Sequence, residues 1–176
     1  MDKRRAENGC SPACRDQRTY RKGHYKNCPG QSRHAEKGSD MNIEGTLIRK
    51  GAWWAVEIPL LKIYTQGRSR KDAYCMAKDA IESIIDEKSF TVSVTAGPAD
   101  TFMVGSNNEV LLMALALKQQ RSSRHMSVRD VARNLGSNSP AAYSRYEQGK
   151  VRPSLDKFSQ LLKAIDSRLE PVLTVL

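Results

Sequence analysis

SNSPAAYSRYEQGKVRPS, residues 137–154, decides how the C-terminal half of the chain folds. Ser139 followed by Pro140 reads as a helix cap with proline in the first turn, where its missing N–H costs nothing. Ala141 and Ala142 leave one side of that helix nearly bare, while Tyr143 and Tyr146 lie three apart on another. The pattern predicts a helix held by its aromatic side and pressed by its small side against something bulky. Glu147 and Gly149 close it, and Arg152-Pro153-Ser154 leads into the next element.

Upstream, Ser127 with Asp130 fits a capping box that opens SVRDVARNLG, ended by Gly136. Ser106 with Glu109 is predicted to open an earlier helix through VLLMALALKQQR. Downstream, Ser154 opens a helix with Leu155, Phe158, Leu161, Leu162 and Ile165 on its apolar face. RLEPVLTVL reads as an edge strand at best because of Pro171. Residues 106–176 are therefore expected to be an all-α domain of four short capped helices. The two middle helices, joined by a Gly-Ser-Asn turn, have helix-turn-helix spacing.

The pattern before this is different. IEGTLIRK (43–50) and WWAVEIP (53–59) read as a hairpin turning at Gly51-Ala52, and KIYTQG (62–67) as a third strand. Ser69 with Asp72 caps a helix whose Ala73, Ala77, Ala80, Ile81 and Ile84 fall near helical spacing. FTVSVTA (90–96) alternates as a half-buried strand should, and TFMVG (101–105) is a further candidate strand. Residues 41–105 thus predict a small β-β-β-α-β unit, giving an α+β chain overall. Residues 1–40 have no apolar periodicity and read as a disordered basic extension.

The formal net charge is +10, from 29 Lys+Arg and 19 Asp+Glu. Residues 41–106 carry eight of each sign, whereas 1–40 carry 10 and 5, and 107–176 carry 11 and 6. Basic ends beside a neutral middle point to a polyanion for the ends and another partner for the middle. No apolar run approaches the roughly 20 residues of a membrane span, and no hydrophobic segment follows the basic start MDKRRAENGC. The expected setting is cytoplasmic and reducing, with Cys75 a packed thiol. Glu44, Glu57, Asp79, Glu82 and Asp86 form no catalytic constellation, so neither enzymatic activity nor a cofactor is expected. Cys10, Cys14, His24 and Cys28 could satisfy zinc, but their spacing is not a common finger pattern, and no metal site is assigned.

Ser127, Val131, Ala132, Leu135, Gly136, Tyr143, Ser144, Arg145, Tyr146, Glu147, Gly149 and Pro153-Ser154 give residues 107–166 a resemblance to the Xre/Cro-type helix-turn-helix family. Two features depart from the family: a turn one residue longer than usual, and Val128 where a phosphate-contacting Gln is common. The resemblance implies that the helix following the turn enters the major groove of operator DNA. Asn138, Ser139, Ala141, Ala142, Ser144 and Arg145 would then lie near the bases, with Arg129, Lys150 and Arg152 placed for phosphates. It also implies a homodimer or higher homo-oligomer.

Pro59, Thr65-Gln66-Gly67 and the helix through Ala73, Ala77, Ala80 and Ile81 give residues 43–105 a resemblance to the HicB antitoxin domain, a degenerate RNase H-like unit. What that implies is neutralisation of a HicA-type toxin, a small basic RNA-cleaving protein. Trp53, Trp54 and Tyr64 are the candidate anchors, since aromatics dominate interface hot spots. Together the two resemblances imply an antitoxin that also represses its own operon. The alternative is a stand-alone regulator whose sheet senses a small molecule or assembles subunits.

Overall fold

β1 (Ile43–Lys50) pairs with β2 (Trp53–Ile58), and β2 with β3 (Ile63–Gly67), antiparallel, so that alternate residues of each strand share a face. The computed structural model describes residues 41–137 and 139–169, which lie in one compact unit. The expectations for residues 1–40 (the basic extension and the Cys/His set), for Asn138 and for the strand at Pro171 fall outside the described residues. After α1 (Arg70–Ile85) come β4 (Val92–Ala96) and β5 (Thr101–Ser106), and the five-stranded sheet has the order β3-β2-β1-β5-β4.

The predicted β-β-β-α-β unit is therefore extended by a strand, the further candidate TFMVG, which lies inside the sheet. β5 lies between β1 and β4, paired antiparallel with both. Burial explains the order. Phe102, Val104, Gly105 and Ser106 of β5 are buried, as a central strand requires, whereas β4 exposes Ser93 and Thr95 and suits an edge.

One face of the sheet carries Ile43, Leu47, Val56, Ile58, Ile63, Phe102 and Val104, and α1 covers it with Ala73, Ala77 and Ile81. Ile84, expected on the same helix face, is 45% exposed. Ser69 caps α1 as predicted, accepting from the Asp72 backbone at 3.1 Å. Gly67 is needed for close approach: a Cβ there would collide with the backbone of Asp72 and Ala73. Cys75 on this helix is disulfide-bonded rather than a packed thiol.

α2 (Glu109–Ser123) begins later than predicted. Ser106 pairs with Val92 inside the sheet and is buried, so the capping role passes to Asn108, whose side chain accepts from Leu111 N. Leu112 through Leu117 are all buried, so α2 is apolar all round and forms a spine. It packs on β5 on one side and on the C-terminal helices on the other. A continuous apolar cluster runs across this junction. Gln120, polar yet only 1% exposed, donates to the carbonyls of Pro59 (3.0 Å) and Leu60 (2.8 Å) and accepts from Arg124. These bonds fix the β2–β3 turn to the helical layer, and each satisfies a group that would be costly to bury alone.

Candidate nucleic-acid interface

Two successive helices carry the candidate site: α3 (Val128–Asn134) and α4 (Pro140–Glu147), followed by α5 (Leu155–Ile165). The capping box that opens α3 is complete. Asp130 N donates to the Ser127 hydroxyl oxygen at 3.2 Å, and the Asp130 carboxylate accepts from Ser127 N at 2.9 Å. α3 closes on the αL glycine Gly136, with Gly136 N donating to Arg133 O and Ser137 N to Ala132 O. α4 closes the same way on Gly149, with Lys150 N donating to Arg145 O. A Cβ on Gly149 would also lie 2.7 Å from Leu111 Cδ2, so this residue sets both the helix end and its fit to α2.

The cap has a consequence for acid stability. The Ser127 hydroxyl, then its backbone N–H, then Arg133 hold the Asp130 carboxyl below the ordinary carboxylate range. Hydrogen bonds from Arg168, then from Arg124, do the same to Asp166 after α5. A carboxyl whose folded pKa is depressed contributes stability above its unfolded value, near about 4, and loses it as pH falls further. The urea midpoint should therefore drop on acidification below about pH 4, and Asp130→Asn with Asp166→Asn should flatten that drop. An unchanged slope in the double variant would contradict the assignment.

α4 has two unlike sides. Tyr143 is buried (2% exposed) and Tyr146 partly so, as predicted, while Ala141, Ala142, Arg145 and Gln148 are exposed. Glu147 locks the inner side. Its carboxylate accepts from Arg121 Nε (2.7 Å), Arg121 Nη2 (2.9 Å) and the Tyr143 hydroxyl (2.7 Å). Arg121 also donates to Met126 O at 2.8 Å, tying the end of α2 to the start of the next turn. Burial, reinforced by Glu147, pushes the Tyr143 phenol far up, so it stays a neutral donor. Arg121 was not found from the sequence, because it stands 26 residues from its carboxylate.

With Glu147 committed to Arg121, Arg145 has no carboxylate within ion-pair distance among the described residues. Ser139 caps α4 without a side-chain bond and is exposed at the start of the ridge. Ser144 is partly buried and accepts from Gln148 Nε2 at 2.9 Å, which adds Gln148 to the face. Lys150 is exposed just beyond α4, and Arg129 lines a groove with Ala132, Arg133, Gly136, Ser137 and Pro140. Arg152, expected at a phosphate, donates to Glu109 at 2.7 Å, which links the chain after α4 to the start of α2, and its side chain is 62% exposed.

The sheet aromatics do not form one patch. Successive strand residues face opposite ways, so Trp53 shares a face with Tyr64 while Trp54 lies on the other. Arg68 stands over the Trp53 ring at 5.2 Å, and Arg70 and Arg49 flank the Trp54 ring at 4.8 and 6.0 Å. Tyr64 is 63% exposed and sits in register with Glu57. Among the acids on α1, Glu82 accepts from Val92 N at 2.8 Å, a structural task.

None of the curated proteins matches the chain. A family model described as Helix-turn-helix matches residues 117–172, from the second half of α2 past the end of α5, which identifies this segment as a helix-turn-helix and indicates DNA binding in transcription regulation.

Proposed function

We propose that the protein is an operator-binding repressor acting as a homodimer, with α4 as its reading helix. The observation that carries this is the exposed ridge of Ala141, Ala142 and Arg145, on a helix whose other side is held by Tyr143, Glu147 and Arg121. Small residues let the backbone come close to base edges, alanine can meet a thymine methyl, and arginine can bond guanine in bidentate fashion. Arg129 and Lys150 supply phosphate contacts and salt dependence. The test is selection of a preferred duplex from a random library by the full chain, followed by Arg145→Ala. The variant should lose about 1–3 kcal/mol on the selected site and relax selectivity at one position. Full retention of affinity and selectivity would overturn the reading.

We further propose that the regulated operon is a toxin–antitoxin pair, with the sheet binding a HicA-type toxin. Beyond the resemblance of residues 43–105, the outer sheet face favours this at one end, where Tyr64 and Glu57 pair in register and Glu44 is exposed. A basic toxin finds complementary charge there. It does not find it at Trp53 and Trp54, which stand among arginines. Co-expression with a small basic protein encoded beside this one should give a stoichiometric complex that Glu57→Lys and Tyr64→Ala weaken. A neighbour that fails to co-purify would favour the stand-alone regulator.

A further inference from the structure

Both tryptophans of the chain lie at one end of the sheet, and every cation–π contact of the described residues is found there. The β1–β2 hairpin turns at Gly51-Ala52 and sets Lys50 opposite Trp53 and Arg49 opposite Trp54. Trp54 is in turn opposite Gly67, the last residue of β3, so the chain continuing through Arg68 to Arg70 reaches the same end. Arg49, Lys50, Arg68 and Arg70 are all exposed. Of these, Arg70 is paired, to Asp100; Asp72 is occupied by the Arg68 and Ser69 cap. The remaining three cations have no carboxylate within ion-pair distance among the described residues.

The geometry points to this hairpin end as a second nucleic-acid site that takes the sugar–phosphate backbone, separate from α4. Guanidinium groups stacked on indole rings are held in place and keep their N–H edges free for phosphate oxygens. Aromatic rings interleaved with arginines are also a usual platform for nucleic acid. The excess positive charge excludes a basic protein as occupant. The inference rests on the DNA-binding reading only in taking nucleic acid as the ligand class. It does not require α4 to read bases.

The test uses the full chain and a labelled duplex of arbitrary sequence, with affinity followed across salt concentration. Each phosphate neutralised contributes about 0.9 to the slope of log K against log salt. Arg49→Ala/Lys50→Ala/Arg68→Ala should lower that slope by about two to three and weaken binding at least tenfold. Lys88→Ala, in the loop after α1, is the control for simple charge loss. Both indoles lie at this hairpin end, Trp53 on one face of the sheet and Trp54 on the other, so intrinsic fluorescence should change on adding duplex to the parent and to Arg145→Ala. Matching slopes in the triple variant and the Lys88→Ala control, or fluorescence indifferent to duplex, would overturn the proposal. Its failure is distinct from failure of the α4 reading, which would show as absent sequence selectivity with the salt slope intact.

Discussion

Glu147→Ala is expected to cost about 3 kcal/mol of folding stability, the low end of what breaking a buried ion pair costs. The side chains of Glu147 and Arg121 are 8% and 17% exposed, so truncation strands a guanidinium where water reaches it poorly. It also leaves the Tyr143 hydroxyl without its acceptor. For a unit of this size the loss corresponds to roughly 10 °C in Tm. Tyr143→Phe removes one hydrogen bond and should cost about 1 kcal/mol. Arg121→Met combined with Glu147→Leu should cost less than the two single changes together, because neither charge is left unpaired. Urea denaturation of these variants, with Arg121→Met and Glu147→Leu also made singly, measures all of this. Glu147→Ala no worse than Tyr143→Phe would show that the clamp is not what fastens α4 to α2.

What the sequence disclosed about this site was local. The caps of α1, α3 and α5 follow from Ser69 with Asp72, Ser127 with Asp130, and Ser154, each a hydroxyl with its backbone donor three residues on. The buried Tyr143 and bare Ala141–Ala142 follow from helical spacing alone. Contacts across the fold were not legible. Glu147 finds Arg121 over 26 residues, and Arg152 finds Glu109 over 43. The cap of α2 was misplaced for the same reason, since pairing with Val92 commits Ser106 to the sheet. The placement of β5 between β1 and β4 likewise depends on which strands meet. Strand alternation does separate the candidate anchors, with Trp53 and Tyr64 on one face of the sheet and Trp54 on the other.

The largest change in DNA affinity is expected from Ala141→Glu. Ala141 is exposed in the first turn of α4, so the substitution removes no core contact. A carboxylate near a helix N-terminus is tolerated or slightly favourable, and the difference in helix propensity is a few tenths of a kcal/mol. Thermal stability should therefore stay close to the parent's. On DNA the same carboxylate meets phosphates and acceptor-rich base edges at the closest approach of the helix. Like-charge juxtaposition there costs several kcal/mol, equivalent to at least a hundredfold loss on the selected duplex. Gln160→Glu changes net charge equally on the exposed side of α5 and should cost no more than about threefold through long-range screening. Fluorescence anisotropy at about 0.15 M salt separates the two. If Ala141→Glu binds as well as Gln160→Glu, the bare ridge of α4 does not face the DNA, and another surface must account for any binding by this helix-turn-helix.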